Sequence, residues 1–206
     1  MKESEVRSPL SPEGDLPALD PEEWVDRHGD ALYRFAMLRL RDAEAASEVV
    51  QETFLHAFRA RASYSGRASE RTWLVAILRN KVADHYRRSG RETSTGSDEP
   101  GLDPFFDDRG RWRAMPSRWG GNPSEDLERE EFWASFGGCV SKLPANIADA
   151  FLLREVEDLG TESVCEVLQI TPVNLHTRLY RARMFLRECL ERNWFGATGS
   201  RKRGRE

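Results

Sequence analysis

Between Ser89 and Leu127 the sequence loses every periodic signal, reading SGRETSTGSDEPGLDPFFDDRGRWRAMPSRWGGNPSEDL. About forty residues without regular structure are uncommon inside one compact domain, and this mixture of Gly, Pro, Ser and charges of both signs reads as a linker. The chain is therefore expected to fold as two small units. Its 206 residues, 39% hydrophobic and 32% charged, provide core for one medium or two small domains. The linker also contains Phe105, Phe106, Trp112, Met115 and Trp119, which an inert spacer does not need. Two readings of these side chains stay open: packing back on the flanking domains, or lying extended in a partner's groove.

On both sides of the linker apolar residues recur at three and four, and no alternating pattern is long enough for a strand. Residues 1–19 are rich in Ser, Pro and acidic groups and read as a mobile arm. Asp20 as cap, Pro21 at the first helical position and Glu23 in a capping-box-like spacing then introduce a helix carrying Trp24, Leu32, Phe35, Ala36 and Leu40. A second helix runs from about Ala43 to Arg61, with Ala46, Val49, Val50, Thr53, Phe54, Ala57 and Phe58 as its stripe. A third begins near Ser69 or Thr72 and ends RNKVADHYRR. Past the linker, helices are expected around Phe132, Trp133, Phe136 and Val140, then after Pro144, then over Thr161–Leu168, and finally from Pro172 onward, where Val173, Leu175, Leu179, Ala182, Leu186 and Leu190 supply apolar contacts. The expected fold is all-α, in two small helical domains.

The formal net charge is −4, yet basic groups are concentrated locally. In the third helix Val75, Leu78, Val82 and Tyr86 share one face, while Asn80, Asp84, Arg87 and Arg88 share the other. Next to a Ser/Gly/Tyr loop, such a face suits phosphate contact, with Asn80 able to touch a base edge and Tyr64 able to stack on an unpaired base. The helix from Pro172 follows another across a tight turn and carries Asn174, His176, Thr177, Arg178, Tyr180, Arg181 and Arg183, the arrangement of a helix-turn-helix whose second helix enters the major groove. On the second helix Glu44, Glu48, Gln51 and Glu52 surround an outward Leu55, which suits a protein-docking surface.

No run approaches a membrane span and the N-terminus lacks the apolar core of a signal peptide, so the chain is expected in the cytoplasm. Cys139, Cys165 and Cys189 are widely spaced, and the expectation is that all three stay reduced, without disulfide or metal. The histidines (His28, His56, His85, His176) are scattered, and no paired carboxylates, Gly-rich phosphate loop or nucleophile constellation points to an enzyme or to a cofactor.

The ordered set DAEAASEVVQETFLHAFR, RTWLVAILRNKVADHYRR, irregular linker and LPANIADAFLLREVEDLGTESVCEVLQITPVNLHTRLYRARMFLRECL resembles the extracytoplasmic-function (ECF) sigma factors of bacterial RNA polymerase, over nearly everything from residue 20 to 195. The Cys189-Leu190 and Trp194-Phe195 ending is similar to one subgroup of them. The resemblance implies a region 2 domain over 20–90, a linker over 91–127 that threads through polymerase, a region 4 domain over 128–195 and a basic tail over 196–206. It implies docking on the clamp and flap regions of core RNA polymerase, with Glu48, Gln51, Glu52 and Leu55 on the clamp. It further implies opening and holding of the −10 promoter element by Tyr64, Asn80, Lys81, Asp84, Arg87 and Arg88. The −35 element would be read by His176, Thr177, Tyr180 and Arg181, with Arg178 and Arg183 beside phosphates. An anti-sigma protein is an implied further partner.

The chain departs from many relatives at Ala46-Ser47-Glu48, where Ala-Glu-Asp is common; at Glu70, where an apolar residue is common; and at Asn174 and His176, so a promoter sequence cannot be borrowed. The rival reading from the residues is a free-standing helix-turn-helix regulator, against which stands the lack of an evident dimer helix.

Overall fold

The computed structural model describes residues 19–90 and 130–195; the expectations for the N-terminal arm, the linker aromatics and the basic tail lie outside the described residues. Among those described there are helices and turns and no strand.

Helix α1 (Trp24–Leu40) starts three residues later than its capping signal suggests. Asp20 does not cap it; instead the Asp20 backbone N–H donates to the carboxylate of Glu70, 50 residues away, at 3.2 Å. The helix ends at Arg41, whose φ of 56° turns the chain, and Asp42 immediately caps α2 (Ala43–Ala60), its carboxylate accepting from the N–H groups of Glu44 and Ala45. A two-residue connection of this kind forces α1 and α2 antiparallel. Helix α3 (Glu70–Arg88) is capped by Ser69, whose Oγ accepts from the Thr72 N–H at 3.1 Å. Trp24, Leu32, Phe35, Val49, Leu74, Val75, Leu78 and Val82 close the core between the three helices.

The second group comprises α4 (Glu130–Val140), α5 (Ala145–Phe151) running on into a π-helical turn over Leu152–Val156, α6 (Thr161–Leu168) and α7 (Pro172–Leu190) followed by a π-helical turn over Glu191–Phe195. Gln169, at φ 55°, breaks α6, and Thr171 caps α7 with its hydroxyl on the Asn174 N–H, with Pro172 following where no donor is needed. These local devices set the helix-turn-helix. Trp194 in the terminal turn packs edge-on against Phe132 of α4, their ring centroids 5.7 Å apart.

Helices α4 and α7 are also joined covalently, by a disulfide between Cys139 and Cys189. This corrects the expectation that all three cysteines are reduced; Cys165 alone is free. The two partners are 50 positions apart, and only the packing of α4 on α7 brings them together, which spacing does not reveal. Closing a loop of that length restricts the unfolded chain by about 4 kcal/mol.

The two helical groups touch. Gly138 of α4 lies tight against the end of α1: a Cβ there would come within 3.0 Å of the Arg41 guanidinium, whereas one on Gly137 would make an ordinary contact with Leu38 at 3.8 Å. Beside this contact lie ion pairs between the groups. Asp149 of α5 takes Arg39 of α1 and Arg79 of α3, each at 3.1 Å, and the fully buried Glu157 takes Arg71 at 2.7 Å. Arg39 is only 3% exposed, and a buried cation without a partner is costly. Asp149→Ala is therefore expected to cost about 3–5 kcal/mol in urea unfolding and to raise the radius of gyration in small-angle scattering, whereas Arg79→Gln, at a half-exposed partner, costs much less.

Candidate nucleic-acid interface

The core face of α7 is Leu175, Arg178, Leu179, Ala182 and Leu186, all buried. The opposite face is thereby determined: Val173, His176, Thr177, Tyr180 and Arg181 recur at helical spacing along one outer stripe. Val173, His176 and Thr177 are exposed, and Tyr180 and Arg181 half-buried. Two expectations need correction. Arg178, expected beside phosphates, is 7% exposed, because it stands one turn from Leu175 and next to Leu179 on the core side. Val173, read as an apolar contact, is 73% exposed; it precedes Leu175 by two residues, about 200° around the helix. Arg183 is exposed and its guanidinium donates to Glu155 at 2.7 Å.

In the first helical group α2 and α3 share an edge. A surface cavity of about 540 Å³ there is lined by Glu52, Leu55, His56, Arg59, Lys81, Asp84, Arg87 and Arg88. Glu52 pairs with Lys81 at 3.3 Å and lies 3.9 Å from Arg88, while Arg87 pairs with Asp84. So the structure brings the expected docking residue Glu52 together with the expected DNA-contacting residues of α3. Asn80 stands exposed on the same helix. Along the outside of α2, Glu48, Gln51 and Leu55 are exposed, Leu55 at 57%. Phe58, expected on the buried stripe, joins them at 50% exposure, with the Arg61 guanidinium 4.1 Å above its ring. The row Val50, Phe54, Phe58 advances by four residues, drifting about 40° per step from the core direction, a signal that was available in the spacing.

Tyr64 is placed differently from a free stacking residue. Its ring lies 5.1 Å from that of Trp73, and its hydroxyl donates to the Ala68 carbonyl at 2.5 Å, so it braces the 63–69 loop from inside. Burial and then the nearby Glu70 charge push its phenol pKa up. Trp73 in turn meets Trp24 edge-on. Glu70 completes this base: it accepts from the His28 ring at 2.9 Å and from the Asp20 N–H, with Arg27 3.8 Å away. Glu70 thus ties the loop to the start of α1.

No group of three or more His, Cys, Asp or Glu that could hold a metal ion occurs among the described residues, and no helix among them is long and apolar enough to cross a membrane.

The family described as Sigma-70 region 2 matches residues 24–92, and Sigma-70 region 4 matches residues 134–186. A probable RNA polymerase sigma factor of Haemophilus influenzae Rd is 40% identical over 162 residues, covering 77% of this chain and 83% of that protein. The chain belongs to the sigma-70 family, in its ECF group. Among other relatives in the group, SigM of Bacillus subtilis 168 is 27% identical over 78% of this chain and 89% of its own length. The fold is similar to that of two solved structures: the sigma factor RpoE of Bartonella quintana in complex with the anti-sigma factor NepR (TM-score 0.58, 22% identity, covering 82% of this chain and 96% of that one), and CnrH in complex with the cytosolic domain of CnrY (TM-score 0.56, 21% identity, covering 84% and 88%). In this sigma factor α1–α3 correspond to region 2 and α4–α7 to region 4.

The environment of Glu70 sets a pH dependence. Burial pushes its carboxyl up, but hydrogen bonds to the ionised form, those from His28 and the Asp20 N–H among them, and the His28 charge bring it below the ordinary carboxylate value. A depressed carboxyl stabilises the fold at pH above the ordinary carboxylate range, and that contribution is lost as pH falls through the depressed value. Glu70→Gln is therefore expected to unfold at lower urea than the parent at neutral pH, with the gap closing as pH drops below about 4.

Proposed function

We propose that this sigma factor docks on core RNA polymerase through the outer face of α2 and directs initiation by holding the −10 element against α3 and its preceding loop and reading the −35 element with α7. The observation that carries this reading is the separation of faces on each helix: every α7 side chain nominated as a base reader lies on the stripe opposite the core, and Leu55 with Phe58 stands out from α2 among Glu48 and Gln51. Polar donors along the first turns of a recognition helix suit base edges, and exposed apolar anchors ringed by polar groups suit a protein partner. On this reading the catalysis is that of the polymerase, and the sigma factor works in the cytoplasm where the polymerase is.

The local placement of charge fits an acidic chain that contacts DNA. Arg87 and Arg88 on α3 and Arg181 on α7 belong to local basic groups in a protein of net charge −4. Phosphate neutralisation drives non-specific binding, so such a chain binds DNA well only when polymerase supplies further contacts. We extend to this protein the partnership that B. quintana RpoE has with the anti-sigma factor NepR: an anti-sigma factor that covers the docking or promoter-reading faces and competes with core polymerase.

Two variants at exposed or half-exposed positions test the assignments. Leu55→Asp is expected to weaken core polymerase binding roughly tenfold or more while DNA binding by the helix-turn-helix is kept. Arg181→Ala is expected to leave polymerase binding intact and to cost about 1–3 kcal/mol in promoter use through the upstream element. Equilibrium binding to core polymerase and transcription from one promoter measure the two separately. If each variant lowered both alike, the assignment of separate faces would be wrong.

A further inference from the structure

We propose that Val173 is a specificity-determining residue that selects a thymine in the upstream promoter element through the 5-methyl group of the base; the proposal rests on the reading of α7 as the −35 recognition helix. Val173 is the most exposed of the large hydrophobic side chains among the described residues, at 73%. It is the second residue of α7 and begins the stripe that continues through His176, Thr177, Tyr180 and Arg181. In a helix-turn-helix the N-terminal residues of the second helix are the ones that face base edges.

The exposed neighbours of Val173 are mixed: Asn174 and His176 are polar, Pro172 is not. Pro172, also exposed, has neither a side-chain polar atom nor an N–H. Thr177, one turn on, donates its hydroxyl to the Val173 carbonyl at 3.0 Å, so its proton is engaged within the helix and it meets a base only as an acceptor. A β-branched residue gives an exposed helical position no propensity advantage, and its apolar surface gains only when covered. In the major groove thymine alone presents an apolar group, the C5-methyl; the other base edges show donors and acceptors. Covering those with valine would leave polar groups unpaired, which is costly, so Val173 favours thymine at the base it faces. Polar reading then falls to His176, Thr177, Tyr180 and Arg181 further along.

The test uses holoenzyme assembled from core polymerase and the full chain, on a promoter fragment it transcribes. Each thymine of the upstream element, on both strands, is replaced in turn by deoxyuridine, which lacks only the methyl. Competition binding is expected to show a loss of about fourfold at one thymine for the parent protein. Val173→Ala should show a similar loss on the unmodified fragment and no further loss from deoxyuridine at that position. Val173→Ile should remain methyl-sensitive. A parent protein indifferent to every replacement, or a Val173→Ala variant as sensitive as the parent, overturns the proposal. Arg181→Ala in the same assay separates the two layers. If it weakens binding while the deoxyuridine series is flat, only the role of Val173 is wrong; if it too matches the parent, α7 does not read this element and both readings fall.

Discussion

Asp149 holds the two halves of the protein together. Its carboxylate lies between Arg39 and Arg79, which come from different helices of region 2, and Arg39 is buried almost completely. A charge removed from water must find its partner, so the arrangement of α1, α3 and α5 is restricted to one in which both arginines reach the same carboxylate. Glu157 and Arg71 repeat the device nearby, and Gly138 leaves room for the Arg41 side chain at the seam. Ion pairs of this kind add little net stability compared with an apolar contact, but they penalise every other arrangement.

Within each half, the buried stripe decides the functional face by exclusion. Leu175, Leu179, Ala182 and Leu186 turn α7 so that its outer stripe faces away from region 4. Ala46, Val49, Val50, Thr53 and Ala57 do the same for α2 and leave Leu55 and Phe58 outside. The loop before α3 is determined from below, by Tyr64 on Trp73, Trp73 on Trp24 and Glu70 on the start of α1. Glu52 then joins the outer face of α2 to the basic end of α3, since its carboxylate holds Lys81 and lies near Arg88.

What could be read in the sequence was what is decided locally. The tight turn at Gln169, the Thr171 cap and Pro172 are neighbours in the chain, and α6 and α7 appear where those residues place them. Long-range events were not legible. The start of α1 yields to a carboxylate 50 residues on, the disulfide joins helices whose packing no spacing announces, and nothing local marks Arg39 as a residue to be buried against Asp149. Arg178, Val173 and Phe58 form an intermediate case. Their rotation relative to the core stripe follows from 100° per residue, but residue type was the stronger guide, and it pointed an arginine outward and two hydrophobic side chains inward.

Promoter-specific initiation is measured most directly by run-off transcription with purified core RNA polymerase, with and without the protein, on a pool of fragments from its own genome. Specific transcripts that appear only when the protein is added, with start sites sharing common upstream sequences, are the expected result. Absence of such transcripts, together with tight binding of the protein to a duplex site without polymerase, would contradict a sigma factor and make the helix-turn-helix a free-standing regulator.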